Sequence, residues 1–98
     1  MKTKVQAVNF EISEQLKAFV EKRVAKLERF YADIIDAEVA LTVDKPEQSK
    51  NKRARITLSI KGPDLFSEKV GDSFEEAVVE ACEALERQLE KHKGSQKK

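Results

Sequence analysis

Residues 53–61 read RARITLSIK, and the fold turns on them. Ala54, Ile56, Leu58 and Ile60 take alternate positions, while Arg53, Arg55, Thr57, Ser59 and Lys61 take the others. Successive side chains of a strand point to opposite faces, so this segment reads as a strand with one apolar face in a core and one polar face in water. Upstream, residues 36–43 (DAEVALTV) repeat the period, with Val39, Leu41 and Val43 set against Glu38, Ala40 and Thr42. The polar run 44–51, which contains Pro46, reads as the loop between the two strands. Downstream, Gly62, Pro63 and Asp64 make a turn, and residues 65–70 supply a further short strand.

A sheet with one apolar face needs a cover, and the flanking segments provide it. Residues 73–76 (SFEE) form a capping box ahead of a helix whose apolar face holds Phe74, Ala77, Val78, Ala81, Cys82, Leu85 and Leu89. On the other side, Ser13 can cap a helix over residues 13–31, in which Leu16, Val20, Val24, Leu27 and Tyr31 share one arc with Phe19 and Phe30 beside it. Residues 3–8 (TKVQAV) precede it as a short strand. The order is β-α-β-β-β-α. It predicts an α+β fold: a four-stranded, mostly antiparallel sheet with both helices on one face and the other face left to solvent or a partner. Residues 1–93 form one domain, and the basic tail 94–98 (GSQKK) is expected to be disordered.

The totals agree. Ninety-eight residues suffice for one core and not for two. With 40% apolar and 38% charged residues the chain has enough hydrophobe to fold, which excludes the disordered class. The single cysteine, Cys82, can form no internal disulfide, as expected in a reducing cytoplasm. No apolar run is long enough for a membrane span, and the first residues lack a secretory pattern.

Catalysis needs a convergent set of groups. This chain has one histidine, one cysteine, no glycine-rich phosphate loop and no paired metal-ligand spacing, so it reads as a non-enzyme with no cofactor, metal or small-molecule substrate. Cys82 falls on an apolar stripe, where a thiol is buried and inert. Glu14, Glu21 and Glu28 recur every seven residues along one flank of the first helix, a solvated face and not an acid–base pair.

Charge sorting is the informative signal. Nineteen basic and eighteen acidic residues leave a net charge of +1, so any electropositive site must come from segregation. On the first helix Lys22, Lys26 and Arg29 share a narrow arc apart from the glutamates. Arg23 falls inside the apolar arc, so its stem must cross the core and its guanidinium emerge at a rim. The second helix is sorted lengthwise, with Asp72, Glu75, Glu76, Glu80, Glu83 and Glu86 before any base, then Arg87, Lys91 and Lys93 against Glu90 alone. His92 lies near its end, where the helix dipole favours an imidazolium that can touch phosphate. The macrodipole accounts for the sorting of this helix equally well by itself. Arg53, Arg55 and Lys61 on one strand face add a third basic element. Aromatics for base stacking are scarce, so contact with folded, largely double-stranded RNA through charge and shape is favoured.

Three stretches carry a family resemblance: FEIS at 10–13, then Phe19-Val20 followed by AKLE at 25–28, and above all LERQLEKHK at 85–93. Over almost its whole length the chain resembles the short bacterial ribosome hibernation factors, the hibernation-promoting factor and ribosome-associated inhibitor type. The resemblance implies a fold similar to a double-stranded-RNA-binding domain with an added first strand. It also implies binding to the small ribosomal subunit at the decoding region, where messenger and transfer RNA would be displaced and translation silenced when growth stops. Lys22, Arg23, Lys26 and Arg29, with Arg87, Lys91 and Lys93, would then face ribosomal RNA, and the free protein would be a monomer. The chain departs from the pattern at Ala7 (glycine in many relatives), Ala84 (lysine) and Glu75 (tyrosine), and Ala84 removes one expected phosphate contact. Some members carry a second domain that pairs ribosomes, or an acidic tail; the sequence to Lys98 shows neither, which leaves pairing open.

Two other readings compete. One is a regulatory module docking on an acidic protein, since the same family has been linked to a sigma factor. The other is a small hydrolase of the acylphosphatase type, whose β-α-β-β-α-β order does not match.

Overall fold

The computed structural model describes residues 2–45, 47 and 49–95. Along the chain run β1 (Lys2–Val8), α1 (Glu14–Ala25), a 3-10 turn (Lys26–Arg29), β2 (Ile34–Val43), β3 (Lys52–Ile60), β4 (Leu65–Gly71) and α2 (Phe74–Ser95). The strands lie in the order β1-β2-β3-β4. β3 pairs antiparallel with β2 and with β4, each joined to it by a short connection, while β1 pairs parallel with β2 across the helical crossover α1.

The alternation in β3 is realised as expected. Ala54, Ile56 and Leu58 are fully buried and Ile60 nearly so, together with Val39 and Leu41 of β2. α2 covers this face over β3 and β4, and α1 covers it beside β1 and against α2. The opposite face carries rows read across the sheet by register: Lys4, Glu38, Thr57 and Phe66, then Gln6, Ala40, Arg55 and Glu68. No helix packs there, and Phe66 stays 53% exposed.

Both helices start where a serine can satisfy an orphan amide. The Ser13 hydroxyl accepts from the Leu16 N–H at 3.1 Å, and the Ser73 hydroxyl accepts from the Glu76 N–H at 3.1 Å. Asn9 takes a left-handed conformation (φ 66°), which asparagine tolerates better than most residues, and this turns the chain out of β1. Phe10 then stacks on Phe74 at 4.7 Å between ring centroids.

Two boundaries differ from the sequence reading. The first helix does not run α-helically to residue 31: it ends at Ala25 and tightens into the 3-10 turn. The Phe30 amide donates to the Leu27 carbonyl at 3.0 Å, which draws Leu27 and Tyr31 onto the core before the chain enters β2. The second helix continues through Gly94 and Ser95, expected to belong to a disordered tail, because a glycine without a left-handed turn leaves the hydrogen-bond ladder intact. Residues 96–98 of that tail lie outside the described residues.

Ile56 sits at the centre of this core, facing both partner strands and the helical layer. Ile56→Ala should therefore cost about 2–5 kcal/mol, read as a lower urea midpoint at unchanged m-value.

Candidate nucleic-acid interface

Three contacts between the helical segments fix how the basic residues are grouped. Phe10, just before α1, meets Phe74 at the start of α2. Arg23 in α1 lies close enough to Cys82 in α2 for its charge to act on the thiol. Tyr31, just after the 3-10 turn, meets His92 edge to face at 5.5 Å. The contacts ascend together along both segments, so the helices run side by side in the same direction and their C-terminal ends are neighbours. Two negative dipole ends therefore converge, and cations are favoured on both.

The predicted helical residues gather there. Lys22, Arg23 and Lys26 line one shallow concavity with Phe19, and Lys22, Lys26 and Arg29 line the next with Ala25. Lys22, Lys26 and Arg29 are exposed. The 3-10 geometry eclipses positions three apart, so Lys26 and Arg29 project the same way. Arg23 is half-buried with its Nε out of water and without a hydrogen-bond partner, so its stem crosses the helix interface as the apolar arc required. On α2, Arg87 and Lys91 are exposed one turn apart, and His92 is half-buried against Tyr31. Lys93 lies in the last helical turns, and its side chain is outside the described residues.

Arg53 and Arg55 do not join this group. Arg53 and Arg55 stand on the open face of β3, with the sheet between them and the helices, and Lys61 is exposed in the turn that follows. Arg53 is also neutralised locally. Its Nε and Nη2 donate to one Asp44 oxygen at 3.0 and 2.6 Å, and Nη1 lies 3.4 Å from Glu68. The Asp44 hydrogen bond holds the guanidinium even further into its charged range. Arg55 lies over the Phe66 ring at 5.2 Å. Arg53, compensated, and Arg55, over a ring, therefore stand across the sheet from the cations at the helix ends. Period-two alternation already puts Arg53 and Arg55 on the polar face away from the helices, so charge alone joins them to the helix cations.

Sequence reasoning placed Phe19 and Tyr31 with the core. Tyr31 is buried, yet it also supports His92, and half-buried Phe19 floors the concavity of Lys22, Arg23 and Lys26. Phe19 has Lys22 and Arg23 three and four positions on, a signal legible in the sequence, whereas the contact of Tyr31 with His92 comes from the other helix and has no local signal. Among the described residues no three His, Cys, Asp or Glu side chains come close enough to hold a metal ion, and no helix is long and apolar enough to cross a membrane.

Residues 3–97 match the family model described as "Sigma 54 modulation protein / S30EA ribosomal protein". The chain is 33% identical over 86 residues to the ribosome hibernation promotion factor of Deinococcus radiodurans, covering 87% of this chain and 45% of that protein. It therefore spans about half the length of such longer relatives. It is 31% identical over 93 residues to the ribosome hibernation promoting factor of Escherichia coli K12, covering 95% of this chain and 94% of the relative. The crystal structure of the Thermus thermophilus Protein Y N-terminal domain superimposes with a TM-score of 0.80 at 27% identity, over 94% of this chain and 99% of that one.

Cys82, fully buried, has its thiol pushed up to about 12, first by burial, with the nearby Arg23 charge opposing and Glu86 and Glu83 adding to the rise. An unfolded thiol titrates near about 8.5. Between those values the unfolded chain binds fewer protons than the folded one, so stability falls as pH rises. The stability advantage of the wild type over Cys82→Ala should shrink by about 2 kcal/mol from about pH 8 to about pH 10.5, measured by urea unfolding. The folded thiol should resist iodoacetamide until denaturant is added.

Proposed function

We propose, from the premise that the chain belongs to the sigma 54 modulation protein / S30EA ribosomal protein family, the family of the ribosome hibernation promoting factors, that it silences ribosomes by occupancy. The protein works in the cytoplasm, on the small ribosomal subunit at the decoding region. There the neighbouring helix ends lie on ribosomal RNA phosphates and exclude messenger and transfer RNA in stationary phase or stress. No bond is made or broken. The observation that carries this reading is the convergence of Lys22, Lys26 and Arg29 with Arg87 and Lys91 at two parallel helix ends.

The physical chemistry suits the task. Affinity for nucleic acid grows with the number of phosphate-bound counterions released, so a cluster of exposed cations outweighs a net charge of +1. Lys22, Lys26, Arg29 and Arg87 lie on regular helix or its 3-10 continuation, which limits the ordering cost of binding. Arg23 is the best anchored, because its stem is already held between the helices. The compensated Arg53 and the ring-bound Arg55 contribute little in this reading, whereas Lys61, next to the Ile60–Ile34 pair where β2 begins, lies at the same end of the sheet as the helix ends.

Lys26→Glu, Arg87→Glu and Lys91→Glu together should weaken binding to purified ribosomes by roughly 10–100-fold at physiological salt. The same triple variant should stay folded, losing about 1–3 kcal/mol because cations are favoured at these helix ends, as read by urea unfolding. Arg55→Gln should leave ribosome binding within about twofold. Sedimentation through sucrose gradients with stationary-phase ribosomes reads both binding effects, and absence of the wild type from the small-subunit and whole-ribosome fractions sinks the proposal. Pull-downs of another protein that survive ribonuclease would favour the regulatory module instead.

A further inference from the structure

One exposed stripe of α2 changes sign along its length. Taking about 100° per residue, Glu76, Glu80, Glu83, Arg87 and Lys91 fall within an arc of about 80°. All five side chains are exposed. The sign switches between Glu83 and Arg87, one helical turn or about 6 Å apart, and the stripe is about 22 Å long from Glu76 to Lys91.

Helix stability explains only part of the acidic run: Glu83 stands four residues before Arg87, a favourable pair, but Glu80 has no such partner. The macrodipole favours acids in the first turn, which covers Glu75 and Glu76, but its effect has faded by Glu80 and Glu83. Glu76 with Glu80 is a like-charge pair four apart, and Glu80 with Glu83 is one three apart; such pairs weaken a helix. Distance matters too. Glu76 is more than two Debye lengths from Lys91 at physiological salt, so it does not cancel that charge and instead creates a separate negative field. Because α1 runs parallel to α2, exposed Glu11 and Glu14 add to the same end of the molecule, and Lys22, Lys26 and Arg29 to the other.

We infer that the acidic stripe Glu76, Glu80 and Glu83 is a specificity determinant that repels phosphate from the first half of α2. It confines RNA to the helix ends and makes the protein engage RNA end-on. The inference rests on the reading that those ends face RNA. It is a repulsive element and holds no ligand of its own. A long duplex of arbitrary sequence, whose backbone would follow the whole helix, is thereby rejected, while a recessed RNA surface that meets only the helix ends is accepted. Discrimination of this kind needs a penalty against the wrong partner as well as contacts to the right one.

The test uses the full chain with Glu76→Gln, Glu80→Gln and Glu83→Gln, its fold checked by circular dichroism and thermal unfolding. The probe is a plain RNA duplex of arbitrary sequence, titrated over a range of salt. The variant should bind the duplex about fivefold or more tighter than the wild type at low salt, with a steeper dependence of affinity on salt. Its preference for ribosomes over duplex should fall by a similar factor. Duplex affinity and salt slope equal to the wild type's overturn the inference. The Lys26, Arg87 and Lys91 reversal, run in parallel, reports on the parent reading. If it loses ribosomes while the glutamine variant behaves as wild type, the helix ends bind RNA and the acidic stripe does not select. If the glutamine variant gains duplex affinity while the wild type ignores ribosomes, the stripe repels phosphate and the ribosome is the wrong partner.

Discussion

The parallel pairing of β1 with β2 governs where the charges end up. Two parallel neighbours require a crossover, so α1 must run opposite to both strands. From β2 the chain reverses at each of two antiparallel steps, which brings β4 back parallel to β2, and α2, returning over the sheet, must again run opposite to it. Both helices consequently point the same way on one face. Phe10 on Phe74 at one end and Tyr31 on His92 at the other are the visible result. An antiparallel pair of helices would have set the basic end of one beside the acidic start of the other. The sorting along each helix would then have cancelled across the pair instead of adding.

From this constraint the remaining features acquire roles. The one-sided burial of the sheet holds the helices in place: the fully buried Ala54, Ile56 and Leu58 meet the fully buried Val78, Leu85 and Leu89. Gln88 ties α2 to the edge strand by donating to the Phe66 carbonyl at 3.0 Å, which also occupies one acceptor of that strand. Cys82 fills space at the helix interface and is held neutral there, so it belongs to the packing and not to any chemistry. Arg23 crosses the same interface with its head toward the concavity it shares with Lys22 and Lys26, and so links the core to the candidate site.

Most of the fold was legible in the sequence because its two periods are clean. Alternation in residues 53–61 and 36–43 located the strands and their buried sides. The serines at 13 and 73 located the helix starts, since the hydroxyl oxygen of each accepts from a backbone N–H of the first turn. What was not legible is informative about why. The shift of the first helix into a 3-10 turn at Lys26 depends on Leu27 and Tyr31 being drawn onto a core built from distant strands, which no local pattern contains. Gly94 has the composition of a helix stop, yet a stop also needs a left-handed turn, and α2 runs through it. The candidate site was half legible. Helical arcs grouped Lys22, Lys26 and Arg29 correctly, but Arg53 and Arg55 were grouped with them by charge alone. Their ion pairs and ring contact come from Asp44, Glu68 and Phe66, of which Glu68 and Phe66 sit across the sheet on β4. Cross-strand register decides those partners.

The near-neutral composition then has a physical reading. A protein with this basic cluster and no acids would bind any polyanion, because counterion release does not discriminate among nucleic acids. Adding acids at random would weaken all binding alike. Placing them on the same exposed stripe but toward the other end of parallel helices leaves Glu83 to temper Arg87 nearby while Glu76 and Glu80, farther than a screening length from Lys91, spare the attraction at that pole. The stripe is long enough for this, since its two ends, Glu76 and Lys91, lie about 22 Å apart, more than two screening lengths. Specificity for a recessed RNA surface can thus come from shape and polarity together, with few aromatic side chains to read bases and with Phe66, the one strongly exposed aromatic, on the far side of the sheet. On the exposed sheet face Arg53 is paired with Asp44 and Glu68, and Glu38 and Glu68 stand in the same rows as Lys4 and Arg55, so the charges of this face are mixed in sign.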